Sequence, residues 1–343
     1  MSMHEYPSNI NGVHIELTDK CQASCPMCAR NFLGGAERPF VGKKEITLES
    51  FKQWFPSSFL KQLNNFYACG NYGDPIIAKD CLEIFQYVRS ETDARLSIHT
   101  NGSARTSKWW ANLAKAMQGM HDVTFGIDGF KESHVLYRRG TDWDKIIENA
   151  TAFIEAGGNA VIDCLVFKHN EDEVQRFKQE MLAIGFTHVN FKSTGRFYDM
   201  QQFPVQDANG NFEYNLEPAQ GEFKKIEFIK LDELSNDISI WENIVEQTKI
   251  APKCMTNKEI YVDARGTVYP CCWVGSDMIE GPIEVTMSVH TLRNRLIDSS
   301  KQKFAKFLEL NLNDNSMNEI LKSPHWDNML DGKPWICAKN CKG

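Results

Sequence analysis

Short apolar, β-branched runs alternate with segments of helical period through the first two thirds of the chain. Runs at Val13–Thr18, Asn65–Gly70, Arg95–Thr100, Asp122–Asp128, Ala160–Phe167 and His188–Ser193 predict strands. Between them the spacing predicts helices near Leu48–Leu63, interrupted by Pro56, and at Asp80–Ser90, Ser107–Met117, Asp142–Ala156 and Glu171–Ile184. Asp142 suits an N-cap, because its short carboxylate can accept from backbone N–H groups of the first turn, and Gly157-Gly158 ends that helix. Six strands separated by helices require parallel pairing through right-handed crossovers. Such strands form an open doubly wound sheet or a partial barrel, and periodicity does not choose between these.

After Arg196 the alternation stops. Phe197–Glu222, with its Gln, Asn and Pro, reads as a linker or ordered loop. Ile260–Cys272 reads as a hairpin turning at Ala264-Arg265-Gly266, and helical segments follow near Thr291–Asp298 and Lys301–Glu309. The organisation expected is an α/β region over 1–200, a linker or bridging segment over 201–240 and a smaller unit over 241–343.

Composition narrows the class. The chain of 343 residues is 42% hydrophobic and 24% charged, ordinary globular values. No apolar run reaches the roughly 18 residues needed to span a bilayer, and Met1–Thr18 is polar and interrupted, so a soluble, unexported, cytoplasmic protein is expected. Thirty-eight basic against forty-five acidic residues leave a charge of −7 with no dense Lys/Arg block, which removes non-specific nucleic-acid binding from the leading functions.

Eleven cysteines in an unexported chain do not suit a disulfide framework, because the cytosol keeps thiols reduced. Cys69, Cys81 and Cys164 stand singly and read as small buried hydrophobes. Cys21, Cys25 and Cys28 fall in a loop directly after the first strand run. Three thiolates this close can converge on a soft metal centre, iron–sulfur or zinc. Structural zinc wants a fourth ligand at comparable spacing, and none follows before Cys69, so a [4Fe–4S] cluster with one vacant iron is the better match. A second set, Cys254, Cys271 or Cys272, Cys337 and Cys341, lies before, on and beyond the predicted hairpin and suits a four-thiolate cluster or a zinc ribbon.

The C-x3-C-x2-C spacing after a first strand resembles the radical S-adenosylmethionine (SAM) enzymes. Later stretches agree: Gly70-Asn71-Tyr72-Gly73-Asp74-Pro75 is similar to the family's glycine-glycine-glutamate-proline motif, with Asp74 for the usual glutamate. Thr100-Asn101-Gly102 and Gly126-Ile127-Asp128-Gly129 resemble the family's third and fourth strand endings, and His134–Arg138 resembles the stretch that supplies an arginine. The resemblance implies a partial (β/α)6 barrel and a SAM-binding [4Fe–4S] cluster. It implies SAM contacts from Met27, Gly73, Asp74, Thr100, Asn101, Asp128 and Arg138, with Arg138 on the SAM carboxylate and Asp74 on the amino group. Gly126, where the family carries a hydroxyl, removes one ribose contact. The rear cysteines resemble the auxiliary-cluster domains called SPASM and twitch. That implies a second [4Fe–4S] cluster on Cys254, Cys271, Cys337 and Cys341, with Cys272 the competitor for the second position.

The function implied is an oxidoreductase that modifies a substrate C–H bond, using the auxiliary cluster as electron acceptor and a flavodoxin- or ferredoxin-type electron donor. Only twelve residues precede the first strand, which leaves little room for a peptide-recognition domain and favours a small-molecule or sugar-like substrate over a peptide or protein. Tyr72, His99, Lys192 and Arg196 are the polar candidates facing the barrel cavity. A scaffold that binds iron–sulfur or zinc without radical chemistry, or an RNA-modifying enzyme, are the other classes considered.

Overall fold

The computed structural model describes residues 9–117, 121–197, 201–223, 238–279, 298, 301–327, 329–331 and 333–342. Six parallel strands follow one another in sheet order: β1 (Gly12–Ile15), β2 (Asn65–Ala68), β3 (Arg95–Thr100), β4 (Asp122–Gly126), β5 (Ala160–Val166) and β6 (His188–Ser193). Each connection carries helix: α1 (Leu48–Trp54) and α2 (Ser57–Leu60), α3 (Cys81–Glu91), α4 (Ser107–Ala116), α5 (Lys131–Tyr137) with α6 (Trp143–Glu155), and α7 (Val174–Ile184). This is a partial (β/α)6 barrel, and it decides between the two arrangements the periodicity left open.

Alternation along the strands sorts the two faces. In β5, Ala160, Ile162, Cys164 and Val166 are buried while Val161, Asp163 and Leu165 are only half-buried. Ala160, Ile162 and Cys164 pack with the helices around Trp110, Phe125 and Phe153, where the Trp110 and Phe125 ring centroids lie 5.1 Å apart, while Val166 packs with Val174 and Ala219. Pro56 divides the first helical segment as expected, standing as the N-cap of α2 because it has no N–H to give a preceding turn. Asp142 caps α6, accepting from the Lys145 N–H at 3.2 Å.

Two expectations about the second half change. Within Phe197–Glu222, expected as a linker or loop, β7 (Phe203–Gln206) and β8 (Phe212–Leu216) form an antiparallel hairpin. The predicted hairpin forms as β9 (Glu259–Val262) and β10 (Val268–Tyr269), but it is not a detached sheet. β9 pairs in parallel with the free edge of β1, Gly12 opposite Glu259 through Ile15 opposite Val262. The sheet therefore runs to eight strands, β10-β9-β1-β2-β3-β4-β5-β6. Helical structure does cover 301–309, whereas the segment expected near Thr291–Asp298 lies outside the described residues except for Asp298. Among the described residues no helix is long and apolar enough to cross a membrane.

Removing the α6 cap tests the local account. Asp142→Ala should lower stability by about 1 kcal/mol, measured by chemical denaturation. An unchanged midpoint and slope would contradict it.

Candidate functional site

In a parallel barrel the carboxyl ends of all strands meet on one rim, and that rim carries every front motif. The loop after β1 holds Cys21, Cys25 and Cys28. It is folded by the Cys28 N–H donating to the Cys25 carbonyl at 3.0 Å and by the Ser24 N–H donating to the Arg139 carbonyl at 2.9 Å. Arg30, buried beneath it, donates to the carbonyls of Asp19 and Tyr72 and pairs with Glu37 at 3.1 Å. All three thiols are free.

Burial pushes the Cys21 thiol up, and Asp74, Cys25 and Cys28 push it further. Burial lifts Cys25 to about 11 against the pull of Arg138 and Arg196. Cys21 and Cys25 thus keep their protons unless a cation replaces them, and with the Cys28 thiol in the same loop the donor set fits a thiophilic metal centre. As they stand, no three Cys, His, Asp or Glu side chains among the described residues close on a single ion.

The neighbouring strand ends converge on this loop. Gly73 follows β2 so tightly that a Cβ would lie 1.7 Å from the Thr18 carbonyl oxygen. The buried Asp74 accepts from Thr100 Oγ1 at 2.7 Å, the Asn101 N–H at 2.6 Å and the Ile76 N–H at 3.2 Å. Three of its roughly four lone-pair positions are thus used within the protein. Asn101, at the end of β3, donates from Nδ2 to Cys21 Sγ at 3.6 Å and accepts from Gln22 Nε2 at 2.7 Å.

After β4, Asp128 is fully buried; it accepts from Arg138 Nε at 2.6 Å and from the Leu165 N–H at 2.6 Å. His134 accepts the Asp128 N–H on Nδ1 at 3.1 Å, and burial holds its imidazole neutral with a pKa of about 3. Gly126 now has a reason: a Cβ there would sit 2.7 Å from an Arg138 terminal nitrogen, so the missing side chain makes room for the guanidinium. Those terminal nitrogens make no hydrogen bond among the described residues and remain able to grip a carboxylate in a bidentate fork. Met27 is buried among Tyr137, Phe167 and Phe197, and its carbonyl accepts from Arg196 at 3.1 Å.

The four polar cavity candidates separate. His99 and Lys192 lie on the strand face opposite the helices. Lys192 Nζ donates to Asp163 at 2.5 Å, Asn190 donates to the same carboxylate at 3.0 Å, and the His99 ring lies 5.0 Å from that of Tyr67. Arg196 stands beside the cysteine loop instead. Tyr72 does not face the cavity: it is buried, and its hydroxyl donates to the Ser276 carbonyl at 3.0 Å, because its loop turns outward against the helix Cys272–Ile279. Sequence reading missed Glu16, Tyr67, Asn71, Asp163 and Tyr261. The one visible signal was Glu16, the lone carboxylate in the Val13–Thr18 strand run.

Cys254, Cys271, Cys337 and Cys341 line one cavity of about 180 Å³, together with Cys272 and Trp273. Cys254 and Cys337 both sense Cys271 and Cys341, whereas Cys272 senses Cys271 and, after it, Cys69 beyond β2. Burial lifts Cys271 to about 11, but the Val274 and Trp273 N–H groups at the start of the following helix donate to its sulfur and pull it down. Both Cys271 and Cys272 line this cavity, and the Cys272 carbonyl accepts from Asn71 of the loop after β2.

A family model, Radical SAM superfamily, matches residues 15–181. Among solved structures, anSMEcpe with bound AdoMet and the Kp18Cys peptide is 16% identical, covering 94% of this chain and 95% of that one at a TM-score of 0.51. Streptococcus suis SuiB bound to precursor peptide SuiA is 12% identical, covering 83% and 66% at a TM-score of 0.51. SuiB bound to S-adenosylmethionine is 12% identical, covering 78% of this chain at a TM-score of 0.48, and this chain spans 61% of its length. The family's cofactors are SAM and a [4Fe–4S] cluster, and the matched segment runs from the end of β1 through the cysteine loop and the strand-end residues just described. Residues 15–181 of this chain therefore carry a radical SAM superfamily domain.

Proposed function

We propose that the protein is a radical SAM oxidoreductase acting on a C–H bond of a small polar substrate, with an auxiliary cluster as electron acceptor. The observation that carries this reading is convergence: the β3-end amide of Asn101 reaches Cys21, and the Arg138 guanidinium from beyond β4 stands beside Cys25. A cysteine scaffold alone would not need either. When bound, a [4Fe–4S] cluster carrying SAM supplies the electron that splits SAM to methionine and a 5′-deoxyadenosyl radical, the agent that takes hydrogen from substrate.

The protein's own residues hold and orient. Cys21, Cys25 and Cys28 ligate the cluster. Arg138, fixed through Nε by Asp128, presents its terminal nitrogens to the SAM carboxylate. The remaining lone pair of Asp74 receives the SAM amino group, and the Gly73 backbone, Thr100 and Asn101 line the same side. Met27 lies against the adenine.

Cys254, Cys271, Cys337 and Cys341 ligate the auxiliary cluster completely, leaving no iron for substrate, which suits an electron acceptor. The lumen face bearing Tyr67, His99, Asp163 and Lys192 supports a small, hydrogen-bonding substrate. The alternative, a peptide segment in the same lumen, is supported by the peptide-bound structures of anSMEcpe and SuiB. The reaction needs a low-potential donor of the flavodoxin or ferredoxin type.

Three outcomes test this reading. Anaerobically reconstituted, reduced protein should form 5′-deoxyadenosine, and replacing Cys21, Cys25 and Cys28 by Ala should abolish it while the rear iron remains; undiminished cleavage would sink the assignment. Arg138→Ala should weaken SAM binding about tenfold, the loss of a charge-assisted pair worth roughly 1.5–3 kcal/mol, as read by equilibrium titration. Replacing Cys337 and Cys341 should remove about half the iron if both centres are [4Fe–4S]. That variant should keep 5′-deoxyadenosine formation and lose oxidised product. A folded variant without the rear cluster that still forms product at the wild-type rate would overturn the acceptor role.

A further inference from the structure

Glu16 sits one residue beyond β1, almost wholly buried, with no Lys or Arg paired to it among the described residues. Three donors hold it. The Tyr72 and Gly73 N–H groups donate to Oε1 at 2.7 and 2.8 Å, and the Tyr261 hydroxyl, from β9, donates to Oε2 at 2.6 Å. The loop after β2 thus wraps over this carboxylate so closely that a Cβ on Gly70 would stand 2.7 Å from Oε1.

The same loop is tied a second time to the segment that carries the rear cysteines. Asn71 Nδ2 donates to the Cys272 carbonyl at 2.9 Å and to the Tyr261 hydroxyl at 3.2 Å, and the Tyr72 hydroxyl donates to Ser276. Burial pushes the Glu16 acid up to about 7, against the pull of its three donors, so the carboxylate keeps its place only while they do.

We infer that Glu16 is a positioning residue that clamps the Gly70–Asp74 loop in its SAM-binding shape, and that Tyr261 and Asn71 make that clamp dependent on the auxiliary hairpin. This rests on the SAM site proposed above. Neither Tyr261 nor Asn71 takes part in that site, yet both set where the Gly73 backbone stands. By linkage, whatever orders the auxiliary segment then tightens SAM binding, and SAM binding orders the auxiliary segment by the same factor.

The test uses the anaerobically reconstituted full chain and the Tyr261→Phe, Asn71→Ala and Glu16→Gln variants, with iron content and melting temperature measured on each. Two quantities are read: hydrogen exchange at the Tyr72 and Gly73 amides, and the SAM dissociation constant. Tyr261→Phe, the mildest change, should speed exchange and weaken SAM binding, each about five- to tenfold, with full iron content. The loss should appear in KM for SAM more than in kcat. Combining Tyr261→Phe with Glu16→Gln should cost little more than Glu16→Gln alone, because both act through one carboxylate.

Unchanged exchange and SAM affinity in Tyr261→Phe, with a wild type that binds SAM, would overturn the inference alone. Faster exchange without any change in SAM affinity would overturn it by removing the loop from the SAM site. A wild type that shows the clamped exchange pattern but binds no SAM would instead bring down the cofactor reading beneath it. Fully additive losses in the double variant would show that Tyr261 does not act through Glu16.

Discussion

Strand β1 is hydrogen-bonded on both edges, to β2 and to β9, over the same four residues, Gly12–Ile15. Everything that the protein brings together depends on that double pairing. Because all three strands run parallel, their carboxyl ends emerge at one level. The cysteine loop after β1, the glycine loop after β2 and the turn between β9 and β10 therefore leave the sheet side by side. Residues about 190 and 245 positions apart in sequence, Asn71 with Tyr261 and Glu16 with Tyr261, meet within hydrogen-bond distance as a consequence. A detached auxiliary unit joined by a linker would not achieve this.

Buried carboxylates then fix the rim. Glu16 beyond β1 holds the loop after β2; Asp74 beyond β2 holds the end of β3 through Thr100 and Asn101; Asp128 beyond β4 holds the Leu165 N–H of β5. Each reaches sideways to a neighbouring strand end, and each accepts backbone donors that burial would otherwise leave unpaired. Burial raises the pKa of all three acids, and donors aimed at the charged form oppose it. Of the three, only Asp128 has a cation in direct contact among the described residues, and that is the guanidinium presented to the cysteine loop.

Much of this was legible in the sequence. All six barrel strands lie where alternation and β-branching put them, since a strand buried against helices leaves a strong apolar run. The hairpin at β7 and β8 was missed although Asp207-Ala208-Asn209-Gly210-Asn211 is a turn between two apolar–polar runs. Its Gln- and Asn-rich flanks masked the alternation, and the ordering comes from Asp207, which accepts from the Asn209 and Asn211 N–H groups at 2.9 and 2.8 Å. Tyr72 was misplaced because a strand-end tyrosine gives no sign of which way its loop will turn. The hold of Glu16 on both sides of the rim depends on long-range pairing that no local pattern encodes. Gly126 read as a lost hydroxyl, and only the packed guanidinium of Arg138 gives it a purpose.

The central claim is that the front loop and the strand ends present SAM to an iron–sulfur cluster. The most direct measurement is electron paramagnetic resonance of the reduced, anaerobically reconstituted protein, made on the variant lacking Cys337 and Cys341 so that one cluster is observed. Adding SAM should shift the g-values of that signal, and the shift should require a higher SAM concentration when Arg138 is replaced by Ala. A reduced cluster whose spectrum is identical with and without saturating SAM would contradict the account.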